Sequence, residues 1–286
     1  MIEINDLTFL YDSNQGPALE NLNLSIKPGE YVALIGPNGG GKTTLARHFN
    51  GLLTPTQGAV WIDGLNTSSS KNRKEIRRLV GMIFQNPDNQ IVGMTVEEDV
   101  AFGPGNLGLP PAEIRRRVDN ALATVGLSEW GKRPPHTLSG GQKQLLAIAG
   151  LLAMDPTTIV LDEPTAALDA SGKTSVYRLI EQLNKQGMTI VYVTQDMEEA
   201  ARAGRVLVLH QGRLAADGSP AEVLTRVEWL QSLGLAPPRL VQLMHRLRNS
   251  GFDLETDGFD IERVCQEIGL LVAGRRPMLD RKPRGV

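Results

Sequence analysis

Cysteine is almost missing from this chain. Of 286 residues only Cys265 carries a thiol, which excludes an intrachain disulfide and a cysteine metal cage and suits a reducing compartment. An excess of positive charge is missing too. With 30 Lys and Arg against 32 Asp and Glu, for a net charge of −2, nothing in the overall balance attracts nucleic acid or an anionic bilayer, and no nucleic-acid partner is expected. Long hydrophobic runs are also lacking. The longest, residues 145–154, is well short of the roughly 20 residues a membrane-spanning helix needs. The opening Met1-Ile2-Glu3-Ile4-Asn5-Asp6 lacks a basic region followed by an apolar stretch and does not read as a signal peptide. Internal repeats of solenoid period are absent as well. What remains, 41% hydrophobic and 22% charged residues, is enough for one large domain with a buried core plus a small appendage. A folded, soluble, cytoplasmic protein is expected, and any membrane role must go through a partner.

Alternating apolar residues at Ile2, Ile4, Leu7 and Phe9, and again at Leu22, Leu24 and Ile26, read as antiparallel strands joined by a polar turn at 12–17. Residues 31–35 form a short apolar strand that runs into a glycine-rich loop, and 44–53 read as a helix. From 86 to 135 the texture turns to Pro, Gly and charge, with a helical stretch around 113–125. A helical subdomain of about 86–155 inserted in the sheet order follows. The apolar runs 158–161, 189–193 and 206–209 alternate with helical patterns, as buried parallel strands do. The fold class is therefore α/β. A boundary near Ser232 separates residues 1–232 from a helical extension, 233–286, whose charged tail 275–286 is expected to fray.

Three motifs carry chemistry. Gly36-Pro37-Asn38-Gly39-Gly40-Gly41-Lys42-Thr43, followed by Thr44, fits the phosphate-binding loop, and its place between strand and helix disfavours an ordinary glycine turn. Backbone N–H groups would curl around phosphate oxygens at a helix N-terminus, Lys42 would add a full charge, and Thr43 would help to coordinate Mg²⁺. The strand at 158–161 ends in Asp162 and Glu163. Ligands of parallel sheets bind beyond the carboxyl ends of the strands, so Asp162 suits Mg²⁺ and Glu163 suits a general base for water. A solvated pair of strand-end carboxylates is the competing reading. Leu138-Ser139-Gly140-Gly141-Gln142 precedes a helix, with Ser139 and Gln142 at capping-box spacing. Its exposed N–H groups and hydroxyl can form a second phosphate-binding surface.

This last motif resembles the signature of ABC (ATP-binding cassette) proteins, and the resemblance covers essentially the whole chain. It implies an ABC-type phosphate-loop NTPase with a RecA-like core, an N-terminal antiparallel β-subdomain, an inserted helical subdomain and a small C-terminal helical domain. Gln85 then matches the Q-loop glutamine, a catalytic residue and Mg²⁺ ligand, and Ala167-Leu168-Asp169 the D-loop. The family's cassettes dimerise head to tail, with each ATP between the phosphate loop of one and the signature motif of the other. Ser139, Gly140, Gly141 and Gln142 would thus serve the partner's ATP. Tyr11 matches the aromatic that stacks on adenine, against a plain strand-edge tyrosine. One departure matters. Where most members carry a switch histidine, this chain has Gln195, which can donate an amide hydrogen bond but cannot become cationic or relay a proton. Either Gln195 substitutes adequately, or turnover at this chain's own site is reduced. Gly40, in place of the usual serine, falls at a position the loop pattern leaves free.

Phe84-Gln85-Asn86-Pro87-Asp88-Asn89-Gln90, the stretch Thr95 through Pro104, and the C-terminal Leu235, Pro237, Leu240, His245, Arg246, Leu247 and Gly251 are similar to the ATP-binding component of energy-coupling factor transporters. The resemblance implies an importer of vitamins or transition-metal ions, and a peripheral place on the cytoplasmic face of the membrane. The implied partners are a second ABC ATPase subunit, with a heterodimer favoured over a homodimer, a transmembrane scaffold component and a substrate-binding membrane component. A weakened regulatory cassette and an ATPase of another importer class are the alternatives. An ABC protein acting on nucleic acid would usually add a coiled coil or a second cassette, and neither is visible.

Overall fold

The computed structural model describes residues 1–12, 16–256 and 258–273. Part of the expected turn, 13–15, and the expected frayed tail, 275–286, lie outside the described residues.

The chain opens with β1 (Ile2–Phe9) and β2 (Leu19–Ile26), then β3 (Tyr31–Ile35), α1 (Lys42–Phe49), β4 (Gln57–Ile62), β5 (Leu65–Asn66), α2 (Arg73–Leu79) and β6 (Val80–Ile83). Three helices follow, α3 (Val96–Asn106), α4 (Pro111–Val125) and α5 (Gly140–Leu152), before the chain returns to the sheet with β7 (Thr158–Asp162). Then come α6 (Ala170–Lys185), β8 (Thr189–Val193), α7 (Met197–Ala200), β9 (Arg205–His210) and β10 (Arg213–Gly218). The described residues end with α8 (Pro220–Leu224), α9 (Val227–Ser232), α10 (Arg239–Asn249) and α11 (Ile261–Val272).

A four-stranded antiparallel sheet in the order β2-β1-β4-β5 stands beside a six-stranded sheet in the order β10-β9-β3-β8-β7-β6. In the larger sheet β9, β3, β8, β7 and β6 pair in parallel, and β10 joins the edge antiparallel. The sequence reading did not foresee β4, β6 or β10. For β10 the reason is physical: Arg213–Gly218 alternates between exposed and half-covered positions on an edge, so it lacks the apolar run that marks a buried strand. The helix expected over 44–53 is α1, which begins at Lys42 and ends at Phe49, with Asn50 as its C-cap before Gly51 turns to φ 65°. A left-handed glycine is a common helix stop.

Strand alternation divides the core. Tyr31, Ala33 and Ile35 face one side with Ile159, Leu161, Ile190 and Tyr192, against α5 and α6. Val32, Leu34, Val160, Val191 and Val193 face the other, against Leu45, Ala46 and Phe49 of α1 and the antiparallel sheet. Successive side chains of a strand point to opposite faces. Parity therefore aims Asp162, two residues after Val160, at the α1 side. A third, small cluster of Met244, Leu254 and Val264 lies within the segment carrying α10 and α11.

Candidate functional site

The loop between β3 and α1 depends on glycine at two points. Gly36 has φ 152°, and a Cβ there would sit 2.0 Å from the Leu209 carbonyl oxygen. Gly41, the N-cap of α1, has φ 100°, and a Cβ would come within 2.8 Å of both the Ala18 oxygen and Leu19 Cδ2. Side chains at either position would close the loop or break its packing. Gly40 closes the bend by donating its N–H to the Pro37 oxygen at 3.0 Å. Lys42 is buried, with Nζ donating to the carbonyls of Gly36 at 2.8 Å and Pro37 at 3.0 Å. Burial lowers the pKa of its ammonium, and the carboxylates of Glu163 and Asp162 oppose that shift. An ammonium tucked beside a cradle of backbone amides fits a polyphosphate, whose negative charge both would attract.

Asp162 is buried at the end of β7, with the Thr43 hydroxyl hydrogen-bonded to its carboxylate. Burial raises its pKa, and the Thr43 bond opposes the rise. These are hard oxygen donors, and they suit Mg²⁺, which takes one or two protein oxygens and completes its shell with phosphate and water. Among the described residues no three His, Cys, Asp or Glu side chains cluster as a metal cage.

Glu163 is held differently. It has φ 50°, the left-handed region that costs a non-glycine residue about 1 kcal/mol or more. Its N–H donates to the Val193 carbonyl at 3.0 Å, which fastens the end of β7 to the end of β8. Its carboxylate lies between two amides: Gln85 Nε2 donates to Oε2 at 3.1 Å and Gln195 Nε2 to Oε1 at 2.5 Å. The three residues expected to act in catalysis, far apart in sequence, thus meet at one carboxylate.

Tyr11 is 57% exposed. Its hydroxyl lies 3.0 Å from Thr44 Oγ1, in the first turn of α1, and its ring stands edge-on to Phe9 with centroids 4.9 Å apart. An exposed aromatic anchored beside the phosphate loop can receive a flat base.

The signature segment stands in another cleft. Ser139, Gly140, Gly141 and Gln142 line a cavity of about 460 Å³ together with Ala167, Leu168 and Asp169 of the expected D-loop. Ser139 caps α5 in a full capping box: its hydroxyl accepts from Gln142 N at 3.3 Å, and the Gln142 side chain accepts from Ser139 N at 2.9 Å. Asp169 caps α6 through Gly172 N. Lys143 pairs with Asp88 at 2.7 Å, joining the signature helix to the segment after Gln85. Sequence reading missed that pair. It also missed Glu199, whose carboxylate gathers the hydroxyls of Thr165, Tyr177 and Thr194, because an acid in the first turn of a short helix signals only a favourable dipole interaction.

Residues 19–166 match the family model described as ABC transporter. The chain is 51% identical, over 94% of its length and 96% of the relative's, to the cobalt import ATP-binding protein CbiO of Syntrophus aciditrophicus. It is 48% identical, over 94% of its length and 98% of the relative's, to the energy-coupling factor transporter ATP-binding protein EcfA1 of Caldanaerobacter subterraneus. Among solved structures it resembles cbiO1 from Clostridium perfringens, described as part of the ABC transporter complex cbiONQ. That likeness has a TM-score of 0.75 and 38% identity, covering 86% of this chain and 98% of the other.

Proposed function

We propose, from the premise that this chain belongs to the ABC transporter family, that it is the ATP-binding and ATP-hydrolysing subunit of an importer of the energy-coupling factor type. The carrying observation is the meeting of Gln85, Glu163 and Gln195 beyond the carboxyl edge of the parallel sheet, in a chain alike over nearly its whole length to ATP-binding subunits of such importers. Vitamins or transition-metal ions such as cobalt are the proposed cargo.

ATP binds with its phosphates on Gly36 through Thr44 and its adenine against Tyr11. Lys42 supplies charge to the β- and γ-phosphates. Thr43, Asp162 and Gln85 would hold Mg²⁺, which when bound neutralises phosphate charge. Glu163 orients the attacking water and takes its proton, while the amides of Gln85 and Gln195 keep the two carboxylate oxygens in place. Gln195 can also donate to phosphate, but it cannot accept a proton and pass it on.

Ser139, Gly140, Gly141 and Gln142 face the ATP of a second cassette across a head-to-tail dimer. That partner is a different chain, so the two sites are unequal: the one on this phosphate loop is slowed by Gln195, and the one that borrows this signature motif is competent. A homodimer of two slow sites is the alternative. Gln195 also favours a second reading, a regulatory cassette with little turnover of its own. Residues 1–232 form the cassette and 233–286 the extension. Among the described residues no helix is long and apolar enough to cross a membrane. By its likeness to ATP-binding subunits of importers, the chain sits peripherally at the cytoplasmic face, held by a transmembrane scaffold that works with a substrate-binding membrane component.

Purification of the tagged chain from membranes tests this reading. A scaffold and a second cassette should co-purify with MgATP hydrolysis. Lys42→Ala should abolish tight MgATP binding at this chain's loop. Wild-type affinity in that variant, or the chain alone in every preparation, would overturn the proposal.

A further inference from the structure

The carboxylate of Glu199, in α7, is 4% exposed and lies among hydroxyls. Its Oε1 accepts from Thr165 Oγ1 at 2.6 Å, from the Tyr177 hydroxyl at 2.6 Å and from Lys173 Nζ at 3.3 Å. Its Oε2 accepts from Thr194 Oγ1 at 2.6 Å. Burial works against the charge, but the hydrogen bonds from Thr165, Thr194 and Tyr177 outweigh it and hold the Glu199 carboxyl below its ordinary pKa. Because Thr165 donates to Glu199, its oxygen is free to accept from the Tyr192 hydroxyl 3.1 Å away. A buried ionised carboxylate with this many donors specifies one arrangement of the groups around it, since losing any donor leaves a costly mismatch.

Those groups are placed with purpose. Thr165 lies two residues after Glu163, and the intervening bend is closed by the Ala166 N–H on the Glu163 carbonyl at 3.3 Å. Thr194 immediately precedes Gln195. Its hydroxyl donates to Glu199 and accepts from Asp196 N at 3.0 Å, so it spans Gln195 from both sides. Asp196 in turn caps α7 by accepting from Glu198 N at 2.9 Å. The two oxygens of one side chain are thus divided: one holds the loop that carries the general base, the other the loop that carries the switch amide.

We infer that Glu199 is a positioning residue for hydrolysis, its buried carboxylate locking the loops after β7 and β8 in the register that brings Gln195 Nε2 onto Glu163 Oε1. The inference rests on the proposed role of Glu163 as the base. Glu199 makes its hydrogen bonds to Thr165, Tyr177, Lys173 and Thr194. It acts through Thr165 and Thr194, and a misplacement of Glu163 or Gln195 by about 1 Å suffices to slow a step that depends on alignment.

Removing Glu199 outright risks the fold, so the test cuts one arm at a time. Thr194→Val keeps the shape and deletes the hydroxyl, and Thr194→Ser restores it. Each is introduced into the assembled transporter, with the second cassette catalytically silenced so that only this chain's site is read. Thr194→Val should lower kcat about tenfold with the KM for MgATP within about twofold, and Thr194→Ser should return kcat to the wild-type value. Thr165→Val should behave like Thr194→Val. In a Glu163→Gln background, Thr194→Val should cause no further loss, because the geometry it disturbs has no base to serve. Unchanged kcat in both valine variants overturns the inference, as does a parallel fall in kcat, nucleotide affinity and thermal midpoint that serine fails to rescue. If Glu163→Gln itself leaves turnover intact, the reading of Glu163 as base falls instead, so the two failures are distinguishable.

Discussion

At the scale of single residues, the decisive contact is the amide of Gln195 on the carboxylate of Glu163, at 2.5 Å. An amide holds such an oxygen as well as a neutral imidazole N–H would, so the placement of the proposed base survives the departure from histidine. What an amide lacks is a titratable nitrogen near neutral pH. Gln195→His should therefore raise ATP turnover at this chain's phosphate loop without tightening MgATP binding, measured in a complex whose other cassette is silenced. Equal turnover in wild type and variant would show that the imidazole is dispensable here and remove the ground for unequal sites. Lys42 and Asp162 were legible in sequence because each belongs to a contiguous motif of fixed spacing. Glu199 was not, because its significance comes from Thr165, Tyr177, Lys173 and Thr194, which reach it from other elements.

At the scale of elements, the N-cap of α5 has one structural role and one proposed role. Ser139 caps the helix through Gln142 N, and the same side chain is proposed to meet the partner's nucleotide. Substitution can separate these. Ser139→Ala should cost about 1 kcal/mol of stability through loss of the cap, and turnover at the partner's site should fall with it. Ser139→Asp should recover the stability, because aspartate caps as well as serine, yet leave the partner's site impaired, because a carboxylate repels phosphate. Chemical denaturation measures the first effect and ATP turnover the second. Recovery of both by aspartate would mean that Ser139 matters only as a cap. The Lys143–Asp88 pair, one residue beyond this motif, ties the helix to the segment after Gln85, so α5 and that segment should move together.

At the scale of the whole molecule, the two larger clusters flank the six-stranded sheet, and the third holds the segment carrying α10 and α11 around Met244. A hydrogen bond from the backbone of that segment to a side chain reaches the neighbourhood of the site: Arg239 N donates to Glu198 Oε1 in α7 at 2.8 Å. Met244 is fully buried, and truncating such a side chain costs about 2–5 kcal/mol. Met244→Ala should loosen residues 239–272 while MgATP binding by the cassette persists, seen as faster amide exchange confined to α10 and α11. Exchange rising equally across β3, β7 and β8 would show instead that the extension and the cassette form one cooperative unit.

The phosphate-loop motif, the carboxylate pair and the signature motif are legible in the amino-acid order, together with the strands that precede the first two. These features are local: fixed spacing, flanking periodicity and residue chemistry lie within a few consecutive positions. Tertiary packing settled that β3 runs between β8 and β9 and that strand parity turns Asp162 toward α1. It also decided that Gln85 and Gln195 converge on Glu163, and that Glu199 is buried among hydroxyls rather than solvated. Strand order and side-chain burial are set by which distant segments pack together, and no short stretch of chain records that choice. A carboxylate acquires its role from the donors that surround it, and here those donors come from separate elements of the fold.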